Sequence, residues 1–299
     1  MKIFAIIVTY NGSKWIEKCF GSLIHSGVPL KILAIDNDSS DNTPNIIREK
    51  YPMVEIIHTG KNLGFAKANN IGIKYALEQG ADYVFLLNQD AWIEKNTVEK
   101  LMDTFQQKQN AGIVSPVHLN SNHTNLDKGF LNYLTQEKTP NFISDLYFHR
   151  LNNFYETQFV NAAAWLISRT CIEKVGGFDS LLFVHCGEDD NYCQRVIYHG
   201  FKIIINTQCS ICHDREDRIP GKNPLWEKRN RSAVTKSYLG NINKNFSVIY
   251  IILYTFLKTF YDLLFSKRSK SLSGITEICV FYDIIQSRKI NRKGGLVWL

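Results

Sequence analysis

The sequence predicts an α/β fold: a mostly parallel central sheet flanked by helices, with a helical C-terminal extension. Two patterns and the composition lead there. Short apolar runs such as Tyr83-Val84-Phe85-Leu86-Leu87 recur, separated by helical stretches of about 10–15 residues, the rhythm of βαβ units with right-handed crossovers. The runs are unbroken rather than alternating, as in strands buried on both faces. At 299 residues, 44% hydrophobic and 21% charged, the chain has an ordinary folded composition and length enough for a large core.

The elements follow in order. Lys2–Thr9 is the first strand; its apolar stretch ends at Thr9-Tyr10-Asn11, too soon for a signal peptide with a cleavage site. Gly12–Ser26 places Trp15, Ile16, Cys19, Phe20, Leu23 and Ile24 on one helical stripe. Lys31–Ile35 is strand, the turn Asp36-Asn37-Asp38-Ser39-Ser40-Asp41 follows, and Thr43–Lys50 is helix. Val54–His58, Ala66–Gln79 and Asp82–Leu87 are strand, helix and strand. A fresh helical pattern is expected to start near Trp92-Ile93-Glu94. Residues 119–157 are rich in Asn, His, Thr and Lys and lack a period, which suggests a substrate-facing insertion. Regularity returns at Gln158–Ser168, in helical Glu188–His199 and in strand-like Lys202–Asn206.

The chain changes character after about residue 221. Residues 1–221 hold 21 Lys/Arg against 24 Asp/Glu, whereas residues 222–299 hold 14 against 4. The division expected is a domain over 1–221 and a basic, aromatic extension over 222–299. A basic quarter suits anionic partners: a membrane surface, nucleic acid or phosphate-bearing substrates. Phe246–Phe265 approaches the length of a membrane span, but Lys258 and Asp262 inside it are costly in lipid. Its readings are an interfacial helix on anionic lipid, a helix packed on the protein's own core, or a dimer contact. Seven cysteines without a regular framework fit free thiols in a reducing cytosol.

Three strand ends gather polar groups: Thr9-Tyr10-Asn11-Gly12, Asp36-Asn37-Asp38 and Asn88-Gln89-Asp90. Parallel strands put such ends on one edge, where open α/β sheets bind ligands. A Tyr there can lie against a base, and a neighbouring Asp or Asn can pair with the base's polar edge. Asp90 is a cation ligand or, alternatively, an N-cap for the helix expected next. In Asn62-Leu63-Gly64-Phe65-Ala66-Lys67, Gly64 allows a tight helix entry and Lys67 can face a phosphate, or the segment is a plain strand-to-helix turn. Glu188, Asp189 and Asp190 head a helix; capping explains some of their charge, and a carboxylate there can also accept a hydroxyl proton. Cys209-Ser210-Ile211-Cys212-His213 spells the c-type haem attachment pattern, but as one copy without an export signal it does not fit haem, and no spacing fits structural zinc. His213 is instead a candidate to join Asp90 on a divalent cation.

These segments, with Asn161-Ala162-Ala163-Ala164-Trp165, Gly176-Gly177-Phe178-Asp179 and Gly187-Glu188-Asp189-Asp190, occur in the order seen in family 2 glycosyltransferases. The chain resembles that family over about residues 1–215, most nearly its rhamnosyltransferase-like members in bacterial polysaccharide assembly. The resemblance implies a GT-A fold and inverting transfer from a nucleotide-diphosphate sugar, dTDP-rhamnose or a UDP-sugar, to a hydroxyl of a glycan or lipid-linked glycan. Carried over by position, Thr9, Tyr10, Asn11, Asp36, Asn37, Asn62, Gly64, Phe65, Lys67, Asn70, Asn88 and Gln89 hold the nucleotide. Trp165 and Asp190 face sugar or acceptor, Asp90 and His213 hold Mg²⁺ or Mn²⁺, Asp189 is the general base and Glu188 its orienting neighbour. Asn88 departs from the family, standing where the metal motif has its first Asp. The expected setting is cytoplasmic and peripheral on the inner face of the membrane, with a homodimer as a further expectation and no nucleic-acid partner. The rival readings are a degenerate nucleotide-sugar-binding scaffold and a nucleotidyltransferase.

Overall fold

The computed structural model describes residues 1–184, 186–215, 224–265 and 280–299. Its sheet holds β1 (Ile3–Thr9), β2 (Lys31–Asp36), β3 (Glu55–His58), β4 (Tyr83–Leu87), β5 (Ala91–Ile93), β6 (Ala111–Leu119), β7 (Phe154–Thr157), β8 (Ala164–Ser168) and β9 (Lys202–His213). The order is β3-β2-β1-β4-β8-β6-β9-β5, with β7 also paired to β9. β3, β2, β1 and β4 are mutually parallel, β8 runs against both β4 and β6, and β6 is parallel to β9. β5 and β7 run against β9. Six strands therefore point one way, and their carboxyl ends at Thr9, Asp36, His58, Leu87, Leu119 and His213 share one edge.

Around the sheet lie α1 (Ile16–Ile24), α2 (Thr43–Lys50), α3 (Gly64–Glu78), α4 (Thr97–Gln107), α5 (Lys128–Leu131), α6 (Phe142–Tyr147), α7 (Arg169–Val175) and α8 (Glu188–Tyr198). Alternation along each strand feeds two cores. Phe4, Ile6, Leu33, Ile35, Val84, Leu86, Trp165 and Ile167 pack on the α3–α7–α8 side. Ile3, Ala5, Ile7, Ala34, Phe85, Leu87, Ala164 and Leu166 pack on the α1–α2–α4 side. Both faces are covered, which is why the strands read as unbroken apolar runs.

The structure revises several sequence expectations. No helix begins at Trp92: Ala91–Ile93 is β5, paired with Ile211–His213, and α4 starts only at Thr97. Buried Ala91 and Ile93 flank a half-buried Trp92, a period of two rather than 3.6. Asp90 therefore caps no helix. The strand expected over Lys202–Asn206 runs on to His213, carried past an irregularity between Pro116 and Val117 by continued pairing with β6. The unpatterned stretch 119–157 contains α5, α6 and β7. Cys19, Cys171, Cys186, Cys193, Cys209 and Cys212 are free thiols.

The C-terminal part continues as α9 (Pro224–Gly240), α10 (Val248–Phe265) and α11 (Val280–Lys293). Leu182, Phe183, Leu239, Ile251 and Ile284 join it to the loop before α8 in a third apolar cluster. Polar ties reinforce the join. Ser287 and Asn291 donate to fully buried Asp179, and the Asn70 amide donates to the carbonyls of Phe178 and Trp298. A carboxylate buried like Asp179 needs those donors, because an unpaired charge in the interior is strongly destabilising. The expected boundary at 221 falls in 216–223, outside the described residues. Among the described residues no helix is long and apolar enough to cross a membrane.

Candidate active site

The shared carboxyl edge brings distant segments together. At β1 and β2, Thr9 Oγ1 donates to Asp36 Oδ1 at 3.2 Å, while Asp36 Oδ2 accepts from the Ser39 amide and lies 3.2 Å from His58 Nδ1. The Asn37 side chain donates to Asn62 Oδ1 and accepts from the Leu63 amide, fastening the entry to α3. Gly64 opens that helix at φ +80, the left-handed conformation that favours glycine. Asn11 Oδ1 accepts from the Ser40 amide at 2.8 Å. Gln89 clamps Tyr10 from β4, accepting from its amide at 2.9 Å and donating to its carbonyl at 3.0 Å. Gly12 leaves room for that clamp, since a Cβ there would strike the Gln89 carboxamide. The Tyr10 ring, 45% exposed, stands open at the rim, and Asn88 lies half-buried beside the clamp.

Pairing of β5 with β9 sets Ala91 opposite His213. The neighbouring Asp90 carboxylate thereby comes within 3.3 Å of His213 Nε2, and both side chains are almost fully buried. Ligands about 2.1 Å from an octahedral ion sit about 3 Å apart, so this spacing suits two ligands of one divalent cation. Among the described residues no group of three or more His, Cys, Asp or Glu side chains converges as a metal cage. A two-ligand protein site is the kind an oxygen-preferring ion completes with substrate phosphates and water. The Asp214 amide bonds the Asp90 carbonyl, and Trp15 Nε1 donates to Asp214 Oδ2 at 2.9 Å, bracing this corner from α1.

The three acids of α8 divide their work. The helix has Gly187 at its N-cap and no side-chain capping bond. Asp190 Oδ2 accepts from Gln194 and from Ser237 of α9, so this carboxylate is engaged in a structural tie, contrary to the open acceptor contact expected. Asp189 Oδ1 accepts from the Asp190 amide at 2.9 Å, and one oxygen of buried Glu188 has no partner. Burial pushes both Glu188 and Asp189 above the usual carboxylate range; the Asp189 charge raises Glu188 further, and the Asp190 amide bond partly offsets the rise at Asp189.

Other expected contacts take different roles. Trp165 is fully buried, stacked on Phe178 and tilted against Tyr192, because β8 turns its side chain into the core; it faces no sugar or acceptor. Asn70 accepts from the Phe178 amide and donates to two carbonyls, so its carboxamide joins α3 to the chain's end and is not open to a nucleotide. Phe65 packs edge-on against Phe178, and Lys67 is exposed on the first turn of α3.

The same edge carries groups that the sequence reading missed. His118, near the end of β6, is fully buried, and burial pushes its imidazole well below the usual histidine value. Asn161 lies toward His118, yet its amide makes no hydrogen bond of ordinary geometry. Arg215 donates to His213 Nε2 and faces Asp127, which caps α5. The available signal was positional: each lies beside the end of a strand in the shared direction or the start of one running back. A surface cleft of about 370 Å³ lined by Lys2, Phe4, Lys31 and Ile32 sits at the strands' amino ends, away from these groups.

Comparison with known proteins identifies the family and the fold. The profile described as glycosyl transferase family 2 matches residues 4–176. The dTDP-rhamnosyl transferase RfbF of Shigella flexneri is 27% identical over 241 residues, covering 74% of this chain and 73% of that protein. The N-acetylglucosaminyl-diphospho-decaprenol L-rhamnosyltransferase of Mycobacterium tuberculosis is 23% identical over 238 residues, covering 70% and 75%. The mannosyltransferase PcManGT of Pyrobaculum calidifontis, solved with GDP-Man and Mn²⁺, superposes with TM-score 0.59 at 14% identity over 97% of this chain and 86% of its own. That likeness is one of fold, the GT-A architecture.

Proposed function

The chain belongs to glycosyl transferase family 2 and is a nucleotide-sugar-dependent glycosyltransferase, and we propose that it inverts the anomeric centre of a deoxyhexosyl donor, dTDP-rhamnose foremost. The acceptor is a hydroxyl of a lipid-linked glycan. The observation that carries this reading is the β5–β9 register, which sets Asp90 and His213 3.3 Å apart on the edge that also holds Thr9, Tyr10 and Asp36.

In this reading the nucleoside lies against Tyr10, with the Thr9–Asp36–Asn37 group at its polar edge and Asn11, Asn62, Gly64 and Gln89 shaping the walls. Asp90 and His213 hold a divalent ion, Mg²⁺ or Mn²⁺, which when bound neutralises the charge developing on the diphosphate. Asp189 takes the proton from the acceptor hydroxyl as its oxygen bonds to the anomeric carbon. The bond from that carbon to the diphosphate breaks on the opposite face, and nucleoside diphosphate leaves. A carboxyl raised by burial is suited to this work, because a base is most effective when its pKa approaches the working pH. Glu188 orients its neighbour. The test is turnover of dTDP-rhamnose and UDP-sugars with a polyprenyl-diphosphate glycan, read by nuclear magnetic resonance at the new anomeric centre. Release of nucleoside diphosphate with inversion supports the reading; retained configuration or pyrophosphate release overturns it.

The same reading sets the enzyme on the cytoplasmic face of a membrane, where a lipid-linked acceptor is presented. α10 turns Ile249, Leu253, Phe256, Leu257 and Phe260 outward, each more than half exposed, and residues 222–299 around it hold 14 Lys/Arg against 4 Asp/Glu. Apolar contact plus attraction to anionic headgroups is the recipe for interfacial binding. Sedimentation with anionic vesicles tests it: Phe256→Glu with Leu253→Glu should release the protein, and unchanged binding overturns the assignment.

A further inference from the structure

The stretch after β6 carries a buried polar side chain that the proposed reaction does not use. Tyr133, just past α5, is 9% exposed, and its hydroxyl makes no hydrogen bond among the described residues. The ring is held on several sides. Phe130 and Phe159 meet it edge-on with centroids 6.3 and 4.6 Å away, and the Lys138 ammonium lies 5.7 Å from the centroids of both Tyr133 and Phe159. The backbone is tied as well: Thr139 Oγ1 donates to the Tyr133 carbonyl at 2.8 Å and lies 2.7 Å from Thr157 Oγ1 on β7. A ring packed and tethered in this way presents its hydroxyl at a fixed place.

That place adjoins the start of α8. Phe159 precedes Val160, whose carbonyl accepts from Cys193 Sγ at 3.6 Å, and Cys193 stands one helical turn after Asp189. Burial first and the Asp189 charge second push the phenol above its usual value, so the hydroxyl keeps its proton and can donate. Phenol and carboxylate are nonetheless not bonded to each other; Asp189 Oδ1 accepts from the Asp190 amide instead. Asp189 is only half-buried, which leaves the carboxylate open on one side. Next to Val160, Asn161 is 5% exposed with both amide atoms unpaired, a second buried polar group in want of a partner. A phenol near a carboxylate but not bonded to it is satisfied by a group that bonds to both.

We infer that Tyr133 is an acceptor-binding residue that reads the hydroxyl next to the one attacked. The acceptor is then a sugar with vicinal hydroxyls. One gives its proton to Asp189, and the oxygen of its neighbour accepts from the Tyr133 phenol. Two contacts stop the sugar ring from turning where one would leave it free, and so aim the attacking oxygen at the anomeric carbon. The inference rests on the transfer reading above, with Asp189 as base.

The full-length protein tests it with Tyr133→Phe, which removes the hydroxyl and keeps the packed ring. Donors are dTDP-rhamnose and UDP-sugars; acceptors are methyl α-rhamnoside and methyl β-N-acetylglucosaminide, with their monodeoxy analogues. Tyr133→Phe should raise acceptor KM about tenfold, the worth of one hydrogen bond, with donor KM unchanged and kcat within about threefold. One deoxy analogue should cost the native enzyme a similar factor and cost Tyr133→Phe nothing further, because its contact is already gone. Loss of packing alone would penalise every acceptor and every analogue alike. A deoxy penalty undiminished in Tyr133→Phe, or a rise in donor KM instead, overturns the inference. If the native protein transfers to neither glycoside, the donor and acceptor reading fails, and glycoside binding followed by saturation-transfer magnetic resonance decides on Tyr133. Binding weakened about tenfold in Tyr133→Phe then sustains it, and equal or absent binding overturns it.

Discussion

At the ends of β1 and β2 the buried polar side chains are bonded to one another, whereas at the ends of β6, β8 and β9 several have no partner. Thr9, Asp36, Asn37 and Gln89 each satisfy another part of the chain. His118 Nδ1, both amide atoms of Asn161, one Glu188 oxygen and His213 Nδ1 are buried without hydrogen bonds. An unsatisfied buried polar atom costs about 1–3 kcal/mol, so each calls for a partner such as a water, an ion or a ligand. On the proposed function, the difference separates a bonded nucleotide frame from a transfer end left open to its substrates.

The largest effect should come from the transfer end. Asp189→Asn should lower kcat by about 10²–10⁴-fold while leaving donor affinity within twofold, measured by turnover and by calorimetry. In the native enzyme the acid limb of the rate profile should lie above the ordinary carboxylate value of about 4, because burial raises Asp189. An Asp189→Asn enzyme that turns over normally would break the contrast at its strongest point. At the nucleotide end, Gly12→Ala should push Gln89 off Tyr10, raising donor KM about tenfold and costing about 1–3 kcal/mol of stability, with kcat less affected.

A third test measures the stored cost directly. Glu188 is raised in the folded state, so the fold prefers its protonated form. Its contribution to stability is complete below the unfolded value of about 4.3 and is lost as pH rises through the raised folded value. Glu188→Gln should therefore raise Tm by a few degrees at pH 8 and by nothing at pH 4, checked by calorimetric melting at both. A Tm gain equal at both pH values would place the effect in packing rather than in charge. The smallest effect belongs to exposed Lys67: Lys67→Ala should change donor KM by less than about threefold, as expected of a solvated surface charge. A tenfold change would extend the nucleotide frame to the first turn of α3.

Much of this was legible in the chain. The alternation of apolar runs and helical stripes foretold β1 to β4, and the polar segments after three of them foretold one shared polar edge, because parallel strands end together whatever their neighbours are. Trp165 and Asn70 were misplaced for a common reason. Motif order says that a residue is near the site, but only packing says which way its side chain turns. Trp165 follows the strand's alternation into the core, and Asn70 points at the C-terminal residues, whose return across α3 no local pattern announces.

The sequence by itself determined β1 to β4, which polar residues close three of them and which carboxylates crowd the start of α8, all properties of neighbours along the chain. Only the tertiary structure decided that β8 runs backward beside β4, that Ala91 faces His213, and that Arg215 reaches the pair they create. A period of two gives a strand its faces but neither its partner nor its register, since those follow from long-range pairing and shared burial. Asp90 lies beside His213 rather than capping a helix because β5 pairs with β9, and that contact is written in no single segment.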